Sequence, residues 1–316
     1  MHVDNKGRIR PLASGLRSPA GLAVDSKGDA YYTDNQGDFF GTSKLFRLKE
    51  NAYYGHPAGL VDKPNMVIGH LDISFDNTKA KRELALALLP HARAMNSPGS
   101  PIWDETEGKF GPYAGQMFVG DQSQSNIFRV YTESVDGVEQ AALLPFVAGT
   151  ASGVMRLTFS PRDNSLWVGQ TGRGWWAKGG NLTGLQRIVW DNETVPQSMH
   201  SISVRQDGFV VRFTQAVPPE QRPSFDKLSL SSWYYIEDAS YGSKERGMRE
   251  ESVKHLAWSD NGQALHIKLA QFGLDERADV THTSRIYELD LSNTDFANEL
   301  DSFQSKAWYT LNAIPK

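Results

Sequence analysis

The stretch Ala20-Gly21-Leu22-Ala23-Val24, then Asp25-Ser26-Lys27-Gly28-Asp29, then Ala30-Tyr31-Tyr32-Thr33-Asp34 decides the fold. Two short apolar runs flank five residues that favour a tight turn, because Asp and Ser bond their own backbone and Gly accepts a left-handed conformation. The unit reads as strand, turn, strand, with a polar end at Thr33-Asp34. It recurs twice. Ser100-Pro101-Ile102-Trp103 and Gln116-Met117-Phe118-Val119-Gly120-Asp121 flank a turn at 104–108 with a short insertion. Met155-Arg156-Leu157-Thr158-Phe159 and Ser165-Leu166-Trp167-Val168-Gly169-Gln170 flank a turn at 160–164. A third run follows each copy, at Lys44 to Leu48, Ile127 to Val130 and Leu185 to Trp190.

Small antiparallel meanders repeating at about 40 residues are the pattern of propeller blades. Three copies fall short of the roughly four to eight blades that close a ring. Residues 1–192 are therefore expected to form a partial or open propeller, with Gly7 to Leu16 as an outer strand of a preceding blade. Open sheet edges are unfavourable, so an upstream domain or self-association is expected to complete the ring.

Beyond Asn192 the repeat stops. Short runs at Ser201 to Val204, Phe209 to Phe213, Leu228 to Tyr235, His255 to Trp258, Ala264 to Leu269, Arg285 to Leu291 and Ala307 to Leu311 predict strands. Turn chemistry at Gln206-Asp207-Gly208 and Ser259-Asp260-Asn261-Gly262 predicts two hairpins. This density of strands predicts an immunoglobulin-like β-sandwich over 193–316, making the whole chain all-β. One helix is expected at Arg82 to Met95, where leucines sit among alanines. Lys244 to Glu251, with interspersed charges, reads as a solvated loop.

The 316 residues carry a formal net charge of −4 and no cysteine. The charge argues against nucleic-acid binding. The missing thiols exclude disulfides, cysteine-ligated zinc and thiol catalysis. No run of apolar residues is long enough to span a membrane, and Met1 to Gly7 does not read as a signal peptide.

Several phrases resemble the glucose/sorbosone dehydrogenase family of β-propellers, in particular large exported bacterial relatives with a C-terminal immunoglobulin-like domain. They are Gly15-Leu16-Arg17-Ser18-Pro19-Ala20-Gly21, Thr33-Asp34-Asn35-Gln36-Gly37, Ala52-Tyr53-Tyr54-Gly55-His56-Pro57, Gly108 through Gln122, Gly172-Arg173-Gly174-Trp175, and Trp308 through Pro315. The resemblance implies pyrroloquinoline quinone as redox cofactor, with calcium polarising it. It also implies a sugar or glycan substrate, a cytochrome as electron acceptor, and a periplasmic or secreted location. It assigns Arg17, Gln36 and Arg156 to the quinone, and Gly37 and Tyr54 to the calcium site. It places the family's catalytic histidine upstream of the match to Arg17. Ser18 and Asp38 stand where the pattern has asparagine and proline, and Asp121-Gln122 where it has a lysine.

Each candidate also has a plain structural reading. Arg17 and Arg156 adjoin the first strand of a repeat, where a guanidinium suits a carboxylate or clamps carbonyls between blades. Gln36-Gly37-Asp38, Asp121-Gln122 and Gln170 to Arg173 end corresponding strands. Their oxygens suit calcium, Gln122 and Arg173 suit a cofactor, and all equally suit turns. His56, on a loop, is a candidate proton acceptor. Trp175 and Trp176 suit stacking on a sugar ring or packing between blades. His70, His91, His200, His255, His266 and His282 show no metal-ligand spacing. Three functions stay open: a quinoprotein sugar or aldose dehydrogenase or the downstream part of one, a non-catalytic carbohydrate- or protein-binding module, and a calcium-dependent hydrolase or lactonase.

Overall fold

The computed structural model describes residues 1–60, 82–224, 226–274, 284–296 and 303–316. Within these the regular structure is almost entirely strand. A small hairpin pairs β1 (His2–Val3) with β2 (Ile9–Arg10). Blade 1 is a meander of β3 (Pro19–Val24), β4 (Ala30–Asp34), β5 (Ser43–Arg47) and β6 (Ala87–Leu89). Blade 2 comprises β7 (Pro98–Trp103), β8 (Met117–Asp121), β9 (Asn126–Val135) and β10 (Val138–Ala148). Blade 3 has β11 (Val154–Phe159), β12 (Leu166–Thr171) and β13 (Thr183–Ile188).

The strands of 193–316 are β14 (Met199–Arg205), β15 (Gly208–Phe213), β16 (Ser229–Tyr234), β17 (Arg246–Glu250), β18 (Val253–Trp258), β19 (Ala264–Leu269), β20 (Arg285–Asp290) and β21 (Lys306–Leu311). They do not form a sheet system of their own. One eight-stranded antiparallel sheet runs β17-β16-β20-β21-β10-β9-β8-β7, so blade 2 continues through β10 into β21. Ala142 pairs with Tyr309 at that junction. A separate sheet, β14-β15-β19-β18, packs on one face of the long sheet.

The long sheet is covered on both faces, and its sequence shows why. Ala141 and Leu143 of β10 face a core shared with blade 1, which includes Tyr32, Phe46, Trp233 and Trp308. Ala142 and Leu144, on the opposite face by strand alternation, enter a second core with Ile202, Phe209, Leu265, Tyr287 and Tyr309. A strand buried on both faces reads as an unbroken apolar run. A third cluster of Phe110, Phe118, Ile127, Val154 and Val168 joins blades 2 and 3.

The first strands β3, β7 and β11 lie side by side at the centre of the blades. A Cβ on Gly21 would sit 2.4 Å from Gly99 O, and one on Gly99 would sit 2.5 Å from Met155 O. Only a residue without a side chain permits this approach. At the Val24 end the three strands border a cavity of about 380 Å³ lined by Val24, Ile102, Trp103 and Phe159.

Three expectations are corrected. Arg82 to Met95 is not a helix: Ala87–Leu89 forms β6 and pairs with Ser43 to Leu45 of β5. Ala85 to Leu89 are all buried, so packing on every side overrides helix propensity. Gly7 to Leu16 is not the outer strand of a preceding blade: Ile9–Arg10 pairs back onto His2–Val3, and Ser14 makes an isolated bridge to Tyr53 beside blade 1. Lys244 to Glu251 is not simply a loop, since Arg246–Glu250 is the edge strand β17, paired with β16. Residues 61–81, much of the insertion between the first and second repeats, lie outside the described residues.

Candidate functional site

The polar residues that end the second strand of each repeat do gather at one end of the blades, and they share one job. Asp34 accepts hydrogen bonds from the backbone N–H of Arg17 (2.9 Å) and Ser18 (2.6 Å), just ahead of β3. Asp121 accepts from Asn96 and Ser97 on one oxygen, and from Ser123 and Gln124, both at 2.7 Å, on the other. Gln170 accepts from Ser152 N at 2.8 Å, ahead of β11. In each blade a side chain at the end of the second strand anchors the chain entering the first. Both aspartates are fully buried, and burial pushes their carboxyls up against the opposing pull of these donors. The repeat visible in sequence is thus a repeated clamp.

Above the Asp34 clamp sits the candidate site. Arg17 Nε donates to Asp38 Oδ1 at 3.0 Å, and His56 Nε2 lies 3.1 Å from Asp38 Oδ2. Ala58 N approaches His56 Nδ1 at 3.3 Å, which puts the imidazole proton on Nε2, facing the carboxylate. The Arg17 guanidinium lies directly against Gly37, where a Cβ would meet it at 1.8 Å. Arg17 also stacks over Tyr241, 5.1 Å from the ring centroid, and the Phe39 ring meets His56 edge-on at 5.9 Å. Arg17 and His56 are mostly covered, but the Asp38 side chain is 46% exposed. Burial alone would raise the Asp38 carboxyl; the hydrogen bonds from Arg17 and His56 outweigh it and hold it below the usual range.

This lowered value fixes a sign. The contribution of Asp38 to stability is complete above the ordinary carboxylate value of about 4 and is lost as pH falls through its lowered folded value. The melting temperature is therefore expected to drop more steeply below about pH 4 in the wild type than in Asp38→Asn, measured by circular dichroism across pH.

Distant parts of the chain build the site. The segment 235–243 folds over the 36–41 loop: Phe39 N donates to Asp238 O (2.7 Å), Gly242 N to Gly37 O (3.0 Å) and Ser243 N to Gly41 O (2.9 Å). Beneath it, Lys44 Nζ pairs with Glu237 Oε1 at 2.5 Å, and Glu237 Oε2 accepts from Gly41 N at 2.7 Å. Burial pulls the Lys44 ammonium down, opposed by Glu237. Sequence reading missed Lys44, Glu237 and Tyr241. A buried lysine in a strand was a usable signal for Lys44, whereas nothing local points to the other two.

The remaining candidates fall elsewhere. Gln36 Nε2 donates to Gly41 O at 3.1 Å, bracing the loop. Tyr54 lies inside the blade 1 core, its hydroxyl donating to Arg47 O (2.8 Å) and accepting from Lys49 N (2.7 Å). Arg156 donates to Met155 O at 2.8 Å and reaches Ala20 O at 3.5 Å, clamping β11 towards β3. Gln122 donates to Thr171 O at 3.3 Å, tying blade 2 to blade 3. Arg173, Trp175 and Trp176 are exposed on the loop between β12 and β13. The structure therefore unites Arg17, Gln36, Gly37, Asp38 and His56, and leaves the other candidates apart. His70 and His282 lie outside the described residues. Among the described residues, no three His, Asp or Glu side chains converge as a metal site, and no helix is long and apolar enough to cross a membrane.

No family model and no curated protein matches the chain. Among solved structures it is similar to a putative oxidoreductase (glucose dehydrogenase) from Thermus thermophilus, at 18% identity and a TM-score of 0.38, covering 59% of this chain and 49% of that one. It is also similar to the PQQ-bound form of an aldose sugar dehydrogenase from Streptomyces coelicolor, at 19% identity and a TM-score of 0.36, over 57% of this chain and 45% of that one. An endo-1,5-α-L-arabinanase from Thermotoga petrophila aligns over 93% of this chain and 66% of its own, at 10% identity and a TM-score of 0.24. The chain thus spans about half the length of the two dehydrogenases.

Proposed function

We propose that the chain recognises a sugar at the Arg17–Asp38–His56 cluster, as the downstream part of a sugar or aldose dehydrogenase of the quinoprotein type. The observation that carries this reading is the half-exposed Asp38 carboxylate, held on one side by Arg17 and on the other by His56. A carboxylate fixed by two charged or polar donors keeps lone pairs free for sugar hydroxyls and does not have to be reoriented on binding.

Pyrroloquinoline quinone and calcium are what the resemblance implies, and the residues that carry it do not fit them as they stand. The Arg17 Nε is engaged by Asp38, the Gln36 amide by Gly41 O, Arg156 by Met155 O, and the Tyr54 hydroxyl by strand backbone. No step through the quinone is therefore assigned to these side chains. The same engagement favours the second reading, a non-catalytic carbohydrate- or protein-binding module. An exported location, an immunoglobulin-like character for 193–316 and electron transfer to a cytochrome belong to the first reading. Completion of the ring by a second copy or a further domain fits both readings. Its support is that Leu22 and Val24 on blade 1 and Leu185 and Trp175 on blade 3 are each more than 60% exposed.

The test is a fluorescence titration of the chain with neutral aldoses and, separately, with pyrroloquinoline quinone with and without calcium. A saturable aldose signal that weakens about tenfold in Asp38→Ala supports the site. Absence of any aldose response at tens of millimolar overturns it. Calcium-dependent quinone quenching, followed by reduction on adding aldose, selects the dehydrogenase over the inert module.

A further inference from the structure

A second cleft lies on the outer face of the β14-β15-β19-β18 sheet. It encloses about 600 Å³ between the Pro112 loop of blade 2 and the β18–β19 turn. That size suits a monosaccharide or disaccharide rather than a bare ion. Arg212, His200 and His266 line it with Thr214, Asn261 and Gln263, and no Asp or Glu is among its lining residues.

Positive charge here has no internal counterpart. Arg212 is exposed on β15 and, among the described residues, has no carboxylate within ion-pair distance. Behind His200 lies Arg129, only 1% exposed. Its guanidinium meets neutral groups only: Gln116 Oε1 at 2.6 Å, Met199 O at 2.7 Å, His200 O at 3.2 Å and the Tyr113 ring at 3.8 Å from its centroid. Its Nε has no hydrogen-bond partner. A buried cation without a counter-ion is costly, and an anion nearby relieves that cost.

His200 is turned towards this space by a β-bulge. The β14–β15 register slips between Met199 and Ser201, which leaves His200 as the extra residue. Bulges re-aim side chains at sites of this kind. Its Nε2 donates to Pro112 O at 3.0 Å, so the neutral ring leaves Nδ1 unprotonated. Burial, then Arg129 and Arg212, hold the His200 imidazole below its usual value. His266 stands on β19, one strand beyond Arg212, and Tyr113 of blade 2 stacks against His200 with ring centroids 6.3 Å apart. Asp260 is the acidic residue of the adjoining turn, and it is exposed and absent from the lining.

We propose that this cleft binds an acidic sugar, one bearing a carboxylate or a phosphate, with Arg212 taking the anion and Asn261, Gln263 and Thr214 reading hydroxyls. Arginine suits the planar fork of a carboxylate or phosphate. The unpaired charge of Arg129 adds long-range attraction from a low-dielectric setting. Anion binding favours protonated His200, whose imidazole sits below its usual value, so affinity rises as pH falls through that lowered range. This site is separate from the Asp38 cluster and does not depend on the reading given to it.

The test follows the His200 and His266 imidazole signals by NMR while the whole chain is titrated with D-glucuronate, D-glucose 6-phosphate, D-glucose and inorganic phosphate. The expected result is saturation by at least one of the two acidic sugars, about tenfold more tightly than by D-glucose or inorganic phosphate. Preference for glucuronate identifies a carboxylate ligand, and preference for the sugar phosphate a phosphate; either supports the site. Arg212→Gln is expected to weaken binding about tenfold, Arg212→Lys less, and the distant Arg162→Gln not at all. Affinity is expected to rise as pH falls below about 6.5, the usual histidine value, and to change little above it. Equal binding of D-glucose, equal binding of inorganic phosphate, indifference to a folded Arg212→Gln, or no saturation would each overturn the proposal. Circular dichroism of each variant separates lost binding from lost structure.

Discussion

Asp121→Ala is expected to lower folding stability by about 3–5 kcal/mol, measured by urea unfolding. The fully buried carboxylate accepts from four backbone N–H groups, those of Asn96, Ser97, Ser123 and Gln124. Alanine would strand all four donors where water has little access, and each buried unmet donor costs about 1–3 kcal/mol before relaxation. Asp121→Asn is expected to lose about half as much, because its amide oxygen still serves one pair while its NH2 faces the other. Gln170→Ala, which strands the single Ser152 donor on that oxygen, should cost about 1–2 kcal/mol. Equal losses for all three variants would contradict the clamp as the reason these positions repeat.

Gly153→Ala is expected to destabilise by about 3 kcal/mol, with the damage concentrated in blade 3. An added Cβ would sit 1.9 Å from Gln122 O and 2.8 Å from Thr171 O, both rigid backbone atoms. The loop entering β11 would have to move away from blade 2, breaking the Thr171 N to Gly153 O bond of 2.8 Å. Gly169→Ala on neighbouring β12 is the control, since its Cβ would meet Arg156 only at 3.5 Å, an ordinary contact. Hydrogen exchange should show the β11–β13 amides losing protection in Gly153→Ala and keeping it in Gly169→Ala.

Much of the fold was legible because its strands are local units with their own punctuation. The three repeats fall on β3–β4, β7–β8 and β11–β12, and all seven expected strands beyond Asn192 are present. What escaped was fixed by partners far away in sequence. Ala87-Leu88-Leu89 has the composition of a helix, and only β5 beside it makes it a strand. Ala141-Ala142-Leu143-Leu144 has the same ambiguity, although the preceding Asp136-Gly137, with positive φ at both residues, is a hairpin turn written in plain view. Arg246–Glu250 is charged because it is an exposed edge, and charge on an edge blocks unwanted pairing.

The candidate site followed the same rule. Arg17, Gly37, Asp38 and His56 come from three nearby loops of blade 1 and were marked in advance. Tyr241, which contacts Arg17 and Asp38, and Glu237, which holds the loop through Lys44 and Gly41, arrive from about two hundred residues away, which no local pattern encodes. Tyr54 looked like a ligand because it follows the right neighbours, yet aromatic packing against Tyr32 and Phe46 claims it for the interior.

The continuity of the long sheet also sets an order of assembly. The β9–β10 hairpin closes on itself through Asp136-Gly137 and forms quickly, because its ends are adjacent. β21 can join β10 only after a long loop has closed, since Leu143 pairs with Trp308, and the adjoining Asn312 to Gln140 bond spans 172 residues. Contacts of that span slow folding. Until then β10 is a long bare edge, apolar on both faces, emerging from the ribosome well before its neighbour exists. Newly made chain should therefore be most prone to clump during this interval, and refolding yield should fall as protein concentration rises even where the finished protein is well behaved.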